Sequence, residues 1–250
     1  MNAIQYLDRI RIDRIQEPGH AFLAELQRHH LLAVPFENLD VLRGWEIVLD
    51  VRLIYEKIVV QRRGGFCYEL NGLFCWLLRE LGLSVSMVSA QVYENDTFTP
   101  EFDHMVLLVD LDKTYLVDVG FGDSFRKPLA VPNGEVEDIS GRYRVLPSGQ
   151  DMYLVQRQRN GEWLPEYSFT THPREMSDFA GRCVFHQTSP DSHFTQRTIC
   201  TIATGRGRVT LSDTSLTVTR GKVKRKTPVP SREEHRLLLL EHFGIELEKA

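Results

Sequence analysis

The residues best suited to chemistry lie in one stretch, Arg63-Gly64-Gly65-Phe66-Cys67-Tyr68-Glu69-Leu70-Asn71. It places a cysteine just after a glycine pair, where an apolar pattern of helical period begins. A thiol at a helix N-terminus lies beside unpaired backbone N–H groups and the positive end of the helix dipole. Both favour the thiolate, which is the nucleophilic form. Gly64 and Gly65 allow close backbone approach and supply N–H groups that could hold an oxyanion. We therefore predict that Cys67 is a nucleophile.

A cysteine nucleophile needs a base within hydrogen-bond reach, and the base usually needs an orienting group. Of nine histidines, His104 is the best candidate because it directly precedes an apolar strand pattern at residues 105–109. Asp118 interrupts the apolar run 116–119, where a carboxylate is costly to bury unless it is paired. If a tight turn near residues 112–113 joins two neighbouring strands, Asp118 can fix the tautomer of His104, as the third member of a triad does.

The other histidines and cysteines carry weaker signals. We expect four histidines on predicted helices to face solvent: His29, His30, His235 and His242. Four others lie near turns or breaks and show no further catalytic cue: His20, His172, His186 and His193. Most free cysteines are small buried apolar residues, and we expect this of Cys75, Cys183 and Cys200.

The residues alone leave three functions open. A cysteine, a histidine and an aspartate in this order suit an acyl transferase. They also suit a papain-like or transglutaminase-like hydrolase or amide-exchange enzyme. The third alternative is a non-catalytic redox or ligand-binding protein in which Cys67 senses oxidants.

The elements that must position these residues begin with three predicted helices before Gly82. Pro18 suits the first turn of one helix, and Asp50 can cap a second that ends toward residues 64–65. The third helix begins at Cys67 and stops at Gly82, with leucines and a phenylalanine at helical spacing.

From residue 85 the apolar period shortens toward two, which indicates strands. The predicted strands are 85–92, 105–109, 115–119, 153–159, 162–169, 198–204, 208–211 and 215–219. Asn160-Gly161 is a strong hairpin signal between two of them. A short helix is predicted over 173–184, and Ser231 with Glu234 forms a capping box before a final helix. Helices followed by strands and a mixed end predict an α+β fold.

Composition excludes several partners. The chain of 250 residues has a formal net charge of −4, which gives no reason to expect a nucleic-acid partner, and its basic run 220–226 suits a solvated strand face or loop. Four cysteines without a C-x-x-C pair argue against a zinc site. We see neither a signal-peptide pattern nor an apolar stretch long enough to span a membrane. These observations predict a soluble, cytoplasmic protein in a reducing compartment.

With these three residues identified, the chain resembles the arylamine N-acetyltransferases. Four blocks carry the resemblance in the family's order: Val34-Pro35-Phe36-Glu37-Asn38-Leu39, Arg63 to Asn71, His104-Met105-Val106-Leu107-Leu108 and Asp118-Val119-Gly120-Phe121-Gly122. The pattern R-G-G-x-C-x-E-x-N is the most specific of the four. Together the blocks span the first half of the chain.

The resemblance implies a fold of three parts around a cysteine-protease-like Cys-His-Asp core. Residues 1–82 would form a helical bundle that carries the nucleophile. Residues 83–190 would form a β-barrel-like domain that carries the histidine and aspartate. Residues 191–250 would form an α/β lid.

The resemblance also implies ping-pong acetyl transfer. Cys67 would accept the acetyl group of acetyl-coenzyme A, activated by His104 and Asp118. An arylamine, arylhydrazine or arylhydroxylamine would then collect it. The expected partners are small aromatic amines and coenzyme A, without nucleic acid, membrane or metal, and the expected state is a monomer or homodimer.

The same resemblance assigns two sets of binding residues. Phe36 and Phe121 match aromatic positions that line the acceptor pocket, and Phe125 follows nearby. Such rings suit a flat aromatic amine. The loop that approaches coenzyme A would be Gly122, Asp123 and Ser124.

Overall fold

A computed structural model describes residues 1–247 of the chain, and within them it contains eight α-helices and fourteen β-strands. The helices are α1 (Ala3–Arg9), α2 (His20–Ala33), α3 (Leu39–Leu42), α4 (Val51–Tyr55), α5 (Cys67–Glu80), α6 (Ala180–Thr188), α7 (His193–Gln196) and α8 (Arg232–Phe243). A π-helical turn, Glu56–Val60, continues α4, and a 3-10 turn, Met176–Phe179, precedes α6.

The strands divide between two sheets. They are β1 (Phe36–Glu37), β2 (Ser84–Glu94), β3 (Thr97–Phe98), β4 (His104–Asp110), β5 (Thr114–Val117), β6 (Leu129–Val131), β7 (Glu135–Asp138), β8 (Gly141–Gly149), β9 (Met152–Arg159), β10 (Glu162–Arg174), β11 (Ile199–Thr204), β12 (Gly207–Ser212), β13 (Ser215–Arg220) and β14 (Val223–Pro228). Strands β1 and β11–β14 form one sheet, and the remaining nine form the other.

The N-terminal helices pack around α5, which is buried along most of its length. The predicted helix start at Cys67 is confirmed, and the stop is Gly82, which has a φ of +82°. Asp50 caps α4 as predicted, since its carboxylate accepts the N–H groups of Arg52 at 2.7 Å and Leu53 at 3.2 Å. The apolar periodicity thus places the cysteine at the end of a rigid, core-packed helix.

Two details of this helical part differ from the predictions. Pro18 lies ahead of α2 rather than in its first turn, because Gly19 is the N-cap. His30 does not face solvent. It is fully buried, its Nδ1 lies 2.9 Å from the hydroxyl of Tyr6, and burial followed by the charge of Arg9 lowers its pKa to about 3. A neutral imidazole therefore serves as part of the core.

The nine-stranded sheet is antiparallel, in the order β6-β5-β4-β2-β10-β9-β8-β7, with β3 beside β2. Its two ends lie next to each other, because the N–H of Gly134, just before β7, donates to the carbonyl of Ala130 on β6 at 2.9 Å. The sheet is therefore a nearly closed barrel around its own apolar core, and the fold class is α+β as predicted. Asn160 and Gly161 both have positive φ and form the predicted β9–β10 turn.

The five-stranded sheet has the order β1-β11-β12-β13-β14, so the segment at Phe36 pairs with a strand of the C-terminal region. Helix α8 packs on one face through Leu239 and Phe243. Its predicted cap is confirmed, since the hydroxyl of Ser231 accepts the N–H of Glu234 at 3.1 Å. The predicted strands 198–204, 208–211 and 215–219 all lie in this sheet.

The helix predicted over 173–184 is wrong at its start. Strand β10 continues to Arg174 because Pro173 and Arg174 still pair with β2. The helical part begins at Met176 and runs on to Thr188. Strands β6, β7 and β8 were not predicted, since proline and glycine interrupt the alternating pattern between residues 129 and 149.

No helix among residues 1–247 is long and apolar enough to cross a membrane. The division of the chain at residues 82 and 190 and the monomeric or dimeric state stay predictions. The last three residues of the predicted 191–250 part lie outside the described residues.

Candidate active site

Cys67 is the first residue of α5, and the turn before it is fixed by hydrogen bonds. The N–H of Phe66 donates to Glu69 Oε2 at 3.1 Å, which closes the first turn of the helix. The Glu69 carboxylate in turn accepts from Lys57 Nζ at 2.7 Å. The helix N-terminus predicted for the thiol is therefore present and rigidly held.

The glycine pair before Cys67 serves close packing. A Cβ on Gly64 would lie 2.1 Å from the carbonyl oxygen of Pro35, and a Cβ on Gly65 would lie 2.6 Å from Glu69 Oε2. The N–H of Gly65 donates to the Pro35 carbonyl at 3.4 Å, and the Gly65 carbonyl accepts from Glu37 N–H at 2.9 Å. The expectation that Gly65 offers its N–H to an oxyanion is thus wrong, because that group already has a partner.

A cluster of buried charges lies beneath the same loop. Arg63 binds Glu37 at 2.8 Å and Asp40 at 2.7 Å, while Lys57 binds Asp40 and Glu69, each at 2.7 Å. Opposite charges at such distances satisfy each other away from water. The cluster joins α3, the π-helical turn and the start of α5, and so fixes the backbone that carries the thiol.

Asp118 and His104 meet as predicted. Strands β4 and β5 pair antiparallel, and His104 Nε2 lies 2.8 Å from Asp118 Oδ2. The second carboxylate oxygen accepts from Asn71 Nδ2 at 3.0 Å and from the N–H of Gly120 at 2.8 Å. Burial alone raises the pKa of Asp118, but His104, Asn71 and Gly120 outweigh it and hold the pKa below its ordinary value. The carboxylate is therefore ionised and holds the proton of His104 on Nε2.

Asn71 ties this pair to the helix of the thiol. Its Nδ2 also donates to the carbonyl of Met105 at 2.6 Å, and its Oδ1 accepts from Val119 N–H at 2.9 Å. Gly120 packs directly on Cys67, since a Cβ there would lie 2.8 Å from the Cys67 Cα. One turn of α5 thus sets the register of both strands against the cysteine.

Cys67 and His104 line one cavity of about 210 Å³. Its aromatic lining consists of Phe36, Phe121 and Phe194. The ring of Phe121 lies 5.2 Å from that of His104, and the ring of Phe36 lies 6.0 Å from that of Phe194. Phe36 and Phe121 therefore lie in the same cavity as Cys67, and their role in binding an acceptor stays a prediction. Phe194 was missed because it is far from the recognised blocks.

Phe125 and Ser124 do not line this cavity. Phe125 is fully buried inside the barrel, with its ring 5.8 Å from that of Tyr143. The expectation that its ring faces an acceptor is corrected by this position. Ser124 is also buried, and its hydroxyl has no hydrogen-bond partner among the described residues.

A neighbouring cleft shares Phe36 and Phe121 with the cavity. Gly122 and Asp123 line it, as do residues of the five-stranded sheet: Thr201, Arg208, Thr210, Thr217, Thr219 and Lys224. Asp123 accepts from Arg157 at 3.1 Å and from Arg208 at 3.0 Å. Its negative charge is therefore compensated, and the cleft keeps a polar floor of threonine hydroxyls with basic residues.

A second carboxylate–imidazole pair in the cavity escaped the sequence analysis. Asp103 Oδ1 lies 3.0 Å from His186 Nε2 and is also paired with Arg182, while His186 Nδ1 lies 3.1 Å from the hydroxyl of Ser192. Asp103 could have been noticed because it directly precedes His104. His186 lies 83 residues further along the chain, so no local signal connects them.

The thiol itself is more deeply enclosed than a helix N-terminus alone suggests. Cys67 is 4% exposed, and burial raises its pKa, as do the charges of Asp103 and Asp118. A hydrogen bond from the backbone of Met105 acts in the opposite direction. Burial and these charges thus oppose the loss of the thiol proton.

The other three cysteines are free and buried, as predicted. Within residues 1–247, no group of three or more histidine, cysteine, aspartate or glutamate side chains is arranged to hold a metal ion.

Comparison with known proteins identifies the class of this fold and site. The N-acetyltransferase family model matches residues 21–250. An arylamine N-acetyltransferase of Gallus gallus, the pineal gland isozyme NAT-3, is 33% identical over 100% of this chain and 96% of its own length.

Two solved structures share the fold. The arylamine N-acetyltransferase of Mycobacterium marinum in complex with CoA has a TM-score of 0.89 and 32% identity, covering 98% of this chain and 93% of that one. An arylamine N-acetyltransferase of Bacillus cereus, described as having a Cys-His-Glu catalytic triad, has a TM-score of 0.92 and 26% identity, covering 99% and 100%. The chain therefore belongs to the arylamine N-acetyltransferase family and is an acetyltransferase.

Proposed function

We propose that this protein transfers an acetyl group from acetyl-coenzyme A to the nitrogen or oxygen of an arylamine, arylhydrazine or arylhydroxylamine, through an acetyl-Cys67 intermediate. The observation that carries the proposal is the hydrogen bond between Asp118 and His104, beside the cavity that His104 and Cys67 both line. Cys67 is the nucleophile, His104 the base and Asp118 its orienting group.

The geometry supports these roles through the tautomer of His104. Asp118 accepts the Nε2 proton, so the neutral ring presents the lone pair of Nδ1 away from the carboxylate. A base is required because burial favours the protonated thiol. His104 removes the Cys67 proton as sulfur attacks the acetyl carbonyl, and it gives that proton to the coenzyme A sulfur as the bond from the acetyl carbon to that sulfur breaks. The neutral ring later removes the proton of the acceptor and returns it to the Cys67 sulfur.

The cleft beside the cavity suits the coenzyme. Its polar floor carries Arg208 and Lys224 next to threonine hydroxyls, which are suitable donors for phosphate oxygens. The shared residues Phe36 and Phe121 mark the passage from this cleft to the thiol. Gly122 and Asp123 lie in the cleft wall, while Ser124 lies behind it. The CoA complex of the Mycobacterium marinum relative supports coenzyme binding by this fold.

The cavity suits a flat aromatic acceptor. Phe36, Phe121 and Phe194 offer ring faces and edges close to the thiol, and aromatic pairs add about 0.5–1.5 kcal/mol to the burial of area. Phe125 supports this wall only from within the barrel core. The family name of the relatives, arylamine N-acetyltransferase, agrees with such a substrate.

The experiment is mass spectrometry of the protein after incubation with acetyl-coenzyme A, followed by peptide mapping. We expect one acetyl group per chain, on Cys67. Cys67→Ala should remove the adduct and the acetyl transfer activity while leaving the fold intact. Cys75→Ser is the matched control, because Cys75 lies two turns along the same helix and should not affect the adduct. An adduct on another cysteine, or one retained in Cys67→Ala, contradicts the proposal.

A further inference from the structure

The second carboxylate–imidazole pair in the cavity, Asp103 with His186, has a defined position but takes no part in the acetyl-transfer steps proposed above. Asp103 directly precedes His104 and lines the cavity with Cys67. Its carboxylate is held by Arg182 and by His186 Nε2, both on α6, and both contact the same oxygen, Oδ1. Burial alone raises the pKa of Asp103, but these partners lower it to about 2.

The backbone of Asp103 is fixed as firmly as its side chain. The hydroxyl of Tyr68, the residue after the nucleophile, donates to the carbonyl of Phe102 at 2.8 Å and to that of Asp103 at 3.2 Å. His186 is satisfied on both nitrogens, by Asp103 and by Ser192. The pair is therefore a built feature that keeps an ionised carboxylate at the cavity, and His186 has no free nitrogen with which to act as a base.

A negative charge at this place has opposite consequences for the two half-reactions. When Cys67 loses its proton, the developing thiolate is repelled, and Asp103 is the foremost charge that raises the pKa of this thiol. When an amine attacks the acetyl group, positive charge develops on its nitrogen, and a nearby carboxylate stabilises that charge.

We propose that Asp103 is an acceptor-side catalytic residue, whose carboxylate stabilises the ammonium that forms as the amine attacks acetyl-Cys67. The inference rests on the proposed function. The amine lone pair forms the C–N bond, and the carbonyl electron pair moves to oxygen. The nitrogen proton passes to His104. The pair on oxygen then re-forms the carbonyl as the C–S bond breaks with its electrons on Cys67 sulfur. That sulfur recovers the proton from His104, so the products are the acetamide and the free thiol.

The test compares Asp103→Asn with Arg182→Gln. The first removes the carboxylate charge and keeps its shape, while the second removes the compensating cation and leaves the carboxylate. The thiol pKa is measured from the pH dependence of Cys67 alkylation by iodoacetamide, a neutral reagent, with the site confirmed by peptide mapping. Other groups near the thiol stay the same in both variants: His104, Asp118, Cys183, His186, Glu94, His193 and Arg197.

We expect Asp103→Asn to lower the thiol pKa, because the mutation removes a negative charge that opposes the thiolate, so that alkylation at a given pH below that pKa becomes faster. Acetylation of the thiol by p-nitrophenyl acetate should become faster. Deacetylation of the acetyl-enzyme by aniline should become roughly tenfold slower. Arg182→Gln should raise the thiol pKa and leave deacetylation by aniline as fast as in the wild type or faster.

A purely structural role of Asp103 predicts a different pattern of rates in the two variants. If loosening of the cavity were the cause, both variants would shift both half-reactions in the same direction, and that result overturns the inference. So does wild-type deacetylation in Asp103→Asn, provided that thermal melting shows a folded protein. If the wild type forms no acetyl-Cys67 with either acetyl-coenzyme A or p-nitrophenyl acetate, the proposed function itself fails.

Discussion

Replacing Asp118 by asparagine tests the role of the carboxylate with almost no change in volume. The asparagine oxygen can accept from Asn71 Nδ2 and Gly120 N–H, as Oδ1 of the aspartate does now. Its NH₂ group then faces His104 Nε2. Because an amide NH₂ only donates, Nε2 must accept, and the ring proton moves to Nδ1. The nitrogen left for the thiol is then a donor and cannot remove the thiol proton.

The expected loss follows from that tautomer change. The corresponding change in a serine-protease triad lowers kcat about ten-thousand-fold, and we expect a similar loss here. A factor of that size corresponds to about 5.5 kcal/mol of activation free energy. The folded state also exchanges a hydrogen bond to a charged group, worth about 1.5–3 kcal/mol, for one between neutral groups, worth about 0.5–1.5 kcal/mol, at a side chain that is fully buried.

Rapid-mixing measurement of the rate of Cys67 acetylation in folded protein separates the loss of activity from the loss of stability. Asp118→Glu is the matched variant, because it keeps a carboxylate but adds a methylene in a packed site. The Bacillus cereus relative, described with a Cys-His-Glu triad, shows that the fold can hold the longer acid. We expect Asp118→Glu to acetylate faster than Asp118→Asn despite its larger volume change. Near-normal acetylation in a folded Asp118→Asn protein would refute the reasoning.

Further variants test the packing around the site. Gly65→Ala should destabilise the fold by about 1–3 kcal/mol in urea unfolding, because its Cβ would lie 2.6 Å from Glu69 Oε2; wild-type stability contradicts this. Arg63→Met should cost about 3–5 kcal/mol, because the buried carboxylate of Glu37 loses its cation while Asp40 keeps only Lys57, and an unchanged urea midpoint speaks against it. Phe125→Ala should lower stability by about 3–5 kcal/mol without selective loss of acceptor use; a selective loss restores its predicted role. Because the pKa of Asp103 falls from 3.8 to about 2 on folding, its stabilisation should be complete above about pH 4 and decline toward pH 2. Asp103→Asn should show a flatter decline in this range, and an unchanged profile contradicts it.

The helix that begins at Cys67 and the two strands beside His104 and Asp118 were predictable because local signals specify them. Cys67 begins a strong helical period that a glycine ends, and His104 and Asp118 flank apolar strands joined by a tight turn. A buried carboxylate requires a partner, and the turn leaves His104 within reach. In each case the residues involved are close together in the sequence, so the apolar pattern and elementary electrostatics were sufficient to predict their arrangement.

The remaining features depend on contacts between distant parts of the chain. The burial of His30 requires Tyr6 and Phe74 to close around it. Phe125 lies shortly after the motif at residues 118–122, but closure of the barrel places its ring in the apolar core. The pairing of Asp103 with His186 arises only when α6 packs against the residue that precedes β4. Local patterns carry no information about such docking.

The most direct test of acetyl transfer through Cys67 is kinetic competence of the intermediate. Rapid mixing with acetyl-coenzyme A gives the rate at which acetyl-Cys67 forms, and addition of aniline to the isolated acetyl-enzyme gives the rate at which it decays. We predict that both rates equal or exceed kcat under the same conditions and that aniline releases acetanilide in an amount equal to the acetyl group lost. If turnover is faster than either step, the acetyl group reaches the amine by another route.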